Sequence, residues 1–85
     1  MIDLSVSRKQ IDEIDSKIVE LFEKRMETVN EVAKYKMKTG KPVFDREREE
    51  EKIEKLVGLS HSEFSKRAVK ELFSQIMSIG RKYQY

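Results

Sequence analysis

From Ser5 to Lys38 the sequence contains neither proline nor glycine, the two residues least compatible with a helix interior. Within that stretch Ile11, Ile14, Ile18, Leu21, Phe22, Val29 and Val32 recur at three- and four-residue steps, the period that lines up side chains on one helical face. Asp3 or Ser5 is placed to cap the start, and Thr39-Gly40-Lys41-Pro42 brings a glycine and then a proline to the far end. The pattern predicts a helix over roughly 5–38, about 50 Å long at ~1.5 Å per residue. A compact globule of 85 residues has a radius of gyration of only about 12 Å. Such a helix overhangs any core the chain can build alone.

The excess length has a use. Leu4, Ile11, Ile18 and Val32 lie on one seven-residue series, and Ile14, Leu21 and Tyr35 on its companion, so a partner helix can follow the seam. A single core of this size is marginal without reinforcement. Cysteine is absent and His61 is the only histidine, which leaves neither disulfides nor a structural zinc to supply it. Association is the remaining route, and the chain is expected to be an intertwined homodimer.

Two shorter helices follow. The second starts near Asp45 as a cap and runs through Ile53, Leu56 and Val57 to Gly58, a natural stop. The third begins near Ser62 and carries Ala68, Val69, Leu72, Phe73, Ile76, Met77 and Tyr83 on one face, interrupted by Gly80. The expected fold is all-α, with one long and two shorter helices, in a single domain spanning 1–85.

Function classes narrow from composition. No apolar run is long enough to cross a bilayer and no basic segment leads into one at the start, so a cytoplasmic protein without membrane partners is expected. Charged residues make up 40% of the chain, but 18 Lys+Arg against 16 Asp+Glu leave only +2, with the signs interspersed. A dedicated nucleic-acid binder would show a basic stripe instead.

The informative positions are polar residues on apolar stripes, because a buried charge persists only when something compensates it. Arg25 occupies the series of Ile11, Ile18 and Val32, and Lys36 returns to nearly the same face ~16 Å further along the axis. Glu49 precedes Ile53 by one turn on the only apolar stripe of the second helix. Gln84 extends the stripe of Phe73, Ile76, Met77 and Gly80. Each has an ordinary alternative. Arg25 can pair with a glutamate, Lys36 can lay its stem along apolar surface, Glu49 can belong to the solvated run 47–51, and Gln84 can fray. Taken together, two inward cations, an acid and an amide on three helices suit a pocket for an anionic ligand. Arg8, ~25 Å from Arg25 along a straight helix, reaches such a pocket only from a partner chain.

These residues carry a family resemblance. RKQIDEIDSKIVELFEKR at 8–25, VAKYK at 32–36, KPVFDRERE at 41–49 and ELFSQIMSIGRKYQ at 71–84 resemble, in that order, the all-α chorismate mutases of the AroQ class. The resemblance spans nearly the whole chain. It implies conversion of chorismate to prephenate in phenylalanine and tyrosine synthesis, by an intertwined dimer of three-helix chains with two equivalent sites and no cofactor or metal.

Carried over by position, the resemblance makes Arg25 and the Arg8 of the other chain the carboxylate clamps, a task suited to guanidinium forks. By the same resemblance Lys36 contacts a carboxylate and the ether oxygen, and Gln84 donates a second hydrogen bond to that oxygen. Glu49, with the backbone around Asp45, holds the ring hydroxyl, and Arg48 supports that end by orienting its acidic neighbours. Many relatives have serine where this chain has Gly80, and Leu59–Ser62 is a short connection; both bear on the C-terminal part of the site. An isochorismate-pyruvate lyase shares this scaffold, although the FDRERE stretch with Glu49 looks more like the mutase pattern. A non-catalytic helical dimerisation or regulatory module also fits the helix length, with the seam polar residues setting register.

Overall fold

The computed structural model describes residues 2–84, apart from the side chain of Gln84. Three helices follow in order, α1 (Leu4–Lys38), α2 (Arg46–Val57) and α3 (Glu63–Gln84), and the chain is all-α as the periodicity predicts. It divides into two compact units, Met1–Val32 and Ala33–Tyr85.

The first unit holds the start and most of the length of α1. Asp3, not Ser5, is the cap. Its Oδ1 accepts from the Ser5 N–H at 2.9 Å and from the Ser5 hydroxyl at 2.7 Å, and its carbonyl accepts from Ser7 at 3.1 Å. The Ser5 hydroxyl, followed by the backbone N–H groups of Ser5 and Val6, holds the Asp3 carboxyl below the usual carboxylate range. Further along, the hydroxyls of Ser16 and Thr28 donate to carbonyls one turn back, so these residues keep their polar groups satisfied inside the helix.

The apolar stripe of this unit is uncovered. Ile14, Ile18 and Leu21 remain 55%, 57% and 64% exposed, although covering each such side chain is worth ~1.5–3 kcal/mol.

The second unit begins with the last turn of α1. Here Gly40 takes the left-handed conformation at φ 73°, the Lys41 N–H donates to the Lys36 carbonyl at 2.8 Å, and the Gly40 N–H reaches the Met37 carbonyl at 3.4 Å. These two bonds form a Schellman cap, which satisfies carbonyls that would otherwise end unpaired. The Thr39 hydroxyl closes on the Tyr35 carbonyl at 3.0 Å.

Asp45 caps α2 from an extended conformation, with φ −133° and ψ 101°, and accepts from the Arg48 N–H at 3.1 Å. α2 stops at Gly58 as expected, with the glycine right-handed at φ −62° and ψ −18°. The chain tightens there, with Leu59 donating to Leu56 at 3.1 Å and Ser60 to Val57 at 3.0 Å. Those short-range bonds occupy the last two carbonyls of α2 without a left-handed residue.

Ser62 opens α3, its hydroxyl accepting from the Ser65 N–H at 3.1 Å. The helix continues through Gly80, whose backbone is buried. α2 packs against α3, with Ile53, Leu56, Val57, Val69, Phe73 and Ile76 all half-buried. Only Ala33 (4% exposed) and Met77 (6%) form closed apolar core among the described residues. No helix among the described residues is long and apolar enough to cross a membrane.

Candidate functional site

The Schellman cap that ends α1 also shapes a surface depression. By reversing the chain just after Lys36, it brings the connection and the head of α2 back toward that residue. The result is an open hollow of about 580 Å³ lined by Lys36, by Lys41, Pro42 and Phe44 of the connection, and by Asp45, Arg46 and Glu47. Three cations face two carboxylates there. One of those carboxylates, Asp45, already serves as the α2 cap, and the start of a helix adds the positive end of its dipole. The hollow is therefore suited to an anionic ligand, with the half-buried Lys36 as the α1 contribution.

A second cluster is joined to the hollow through Phe44. Glu49 is half-buried on α2, as its place on the apolar stripe predicts. Its Oε1 forms an ion pair with the Arg81 guanidinium of α3, and the same guanidinium lies 4.9 Å from the Phe44 ring centre. Arg48, expected to orient the nearby acids, is exposed and donates its backbone N–H to Asp45. The cation on Glu49 comes from α3.

Lys36 and Asp45 thus share one hollow, and Glu49 is outside its lining, paired with Arg81. Arg8 and Arg25 belong to the first unit, where Arg8 is exposed and Arg25 half-buried. Gln84 is the last residue of α3, and its side chain lies outside the described residues.

Sequence reasoning missed Arg81 and Phe44, as well as Lys41, Arg46 and Glu47 in the lining. Arg81 had a detectable signal. It follows the buried Met77 by four residues on the apolar face of α3, and a charge on an apolar stripe is the criterion that singled out Arg25.

The family profile described as chorismate mutase type II matches residues 7–85. The chain belongs to the type II chorismate mutase family. Members of this family are isomerases, and two solved chorismate mutase structures from Thermus thermophilus share the fold of this chain. Form II superposes with a TM-score of 0.89 at 25% identity, covering 95% of this chain and 92% of that one. Form I gives 0.86 at 26% identity, covering 91% and 96%.

Among curated relatives, a bifunctional chorismate mutase/prephenate dehydratase of Buchnera aphidicola subsp. Schizaphis graminum is 42% identical over 57 residues, 67% of this chain. The T-protein of Haemophilus influenzae is 43% identical over 42 residues, 49% of this chain. The matched segment spans only 15% and 11% of those two relatives.

Proposed function

We propose that residues 1–85 form a single chorismate mutase domain that rearranges chorismate to prephenate, a step toward phenylalanine and tyrosine, as an intertwined homodimer. The observation that carries the reading is the half-buried Lys36 at a net-cationic hollow beside the head of α2, in a chain of this family. The exposed stripe of Ile14, Ile18 and Leu21 supports the dimer, since a partner helix would cover it.

The chemistry asks little of the protein beyond shape and charge. The ether C–O bond breaks as a C–C bond forms between the enolpyruvyl arm and the ring, all within one molecule, with no proton gained or lost. Arg25 of one chain and Arg8 of the other hold the two carboxylates, folding the arm over the ring into its reactive conformer. Lys36 and Gln84 donate to the ether oxygen as negative charge grows on it, in the manner of an oxyanion hole. Glu49 accepts from the ring hydroxyl through Oε2, because Arg81 occupies Oε1. The backbone around Asp45 completes that end, with Arg48 supporting it.

The test offers the full-length protein chorismate and isochorismate separately and follows absorbance and products. Prephenate from chorismate is the expected result. Salicylate and pyruvate from isochorismate would make it a lyase, and no turnover of either would leave a non-catalytic helical module.

A further inference from the structure

We propose that Arg81 is a positioning residue, which ties the connection before α2 and the first turns of α2 to α3 and thereby fixes Glu49 as the acceptor for the substrate's ring hydroxyl. The proposal rests on the mutase reading for the identity of that substrate. Its physical basis is the placement of two contacts by one side chain. Phe44 immediately precedes the Asp45 cap and Glu49 follows it by one turn, and the Arg81 guanidinium meets both.

Arginine suits this role. Its guanidinium lies over the Phe44 ring while Nη1 donates to the Glu49 carboxylate, and a planar fork can serve both contacts where an ammonium offers only a point charge. The pair is partly shielded from water, with side-chain exposures of 34% for Arg81 and 27% for Glu49, so it is weakened less by salt than a surface pair. Arg81 does not line the hollow at Lys36, but Phe44 does. Its influence therefore passes through Phe44 and Glu49. With Oε1 held, the carboxylate cannot rotate freely, and Oε2 is presented in one orientation.

The test compares full-length wild type with Arg81→Met, which keeps an apolar stem without the fork, and with Arg81→Lys. Three readouts are taken: steady-state kinetics on chorismate, inhibition by a chorismate analogue carrying hydrogen in place of the ring hydroxyl, and amide exchange across 41–49. Arg81→Met should raise KM for chorismate about tenfold, as expected for a weakened hydrogen bond to a charged group. The value of kcat should change little, since that bond is made equally in ground and transition states.

The analogue's inhibition constant should stay within about twofold, because it has no hydroxyl for Glu49 to accept. Exchange should quicken over 41–49 while α3 is unchanged, and Arg81→Lys should restore part of each effect. Equal losses for both ligands, or unchanged exchange over 41–49, would overturn the proposal. If the wild type turns over no chorismate, the mutase reading fails, and the tether is then judged on exchange alone.

Discussion

The backbone N–H of Lys41 donates to the carbonyl of Lys36 at 2.8 Å, so the residue that presents an ammonium to the hollow is itself part of the cap that reverses the chain. The reversal depends on Gly40 at φ 73°, a conformation that costs a residue with a Cβ about 1–2 kcal/mol. Gly40→Ala should lose about that much stability in urea denaturation, and Gly40→Asn less. Chorismate turnover should fall with both in the same order. A Gly40→Ala protein as stable as wild type would show that the left-handed turn is not required.

Lys36→Ala should lower kcat by about a hundredfold or more, corresponding to ~2.7–4 kcal/mol for one donor to developing negative charge. Arg25→Ala should raise KM as well as lower kcat, because it removes a clamp present before and during the reaction. Steady-state assays separate the two patterns, and near-normal turnover by both variants would remove these residues from the site.

If each site takes Arg8 from the neighbouring chain, Arg8→Ala and Lys36→Ala should complement each other. Both homodimers should be nearly inactive. After unfolding and refolding together, each mixed dimer should contain one intact site, since one of its two pockets escapes both substitutions. Activity that stays at the level of the separate mutants would mean that Arg8 serves its own chain or no site.

The Asp3 cap makes a prediction about acid. Its carboxyl titrates below the ordinary range because Ser5 bonds its ionised form, so the stabilisation is present at neutral pH and fades as pH falls through the native value. Carboxyl NMR should show the Asp3 midpoint rising in Ser5→Ala, whose N–H remains but whose hydroxyl is gone. An unmoved midpoint would assign the shift to the backbone alone.

The helices were legible in the sequence because their signals are local. Asp45, Ser62 and Gly40-Lys41-Pro42 punctuate the chain with side chains or conformations that act on neighbours a few residues away. The start of α1 moved from Ser5 to Leu4 because two eligible caps stand close together, and only the bonds identify Asp3. Gly58 was legible as a stop but not in its conformation, since short-range bonds end α2 without a left-handed turn.

The site was legible in its ingredients more than in its pairings. Periodicity placed Glu49 on the inward face of α2, but it carries no information about what meets that face. The partner, Arg81, lies 32 residues away on another helix. Arg48, the cation nearest in sequence, is drawn outward because helical geometry separates the side chains of adjacent residues. Phe44 escaped notice because it lies in an irregular connection, where no period marks an inward side.

Ala33 and Met77 are the only closed apolar core among the described residues, so in the proposed dimer folding and assembly are one equilibrium. Its midpoint then depends on how much protein is present, and dilution acts as a denaturant. In such a dimer stability belongs to the population of chains, and the concentration of protein sets the fraction that is folded at all.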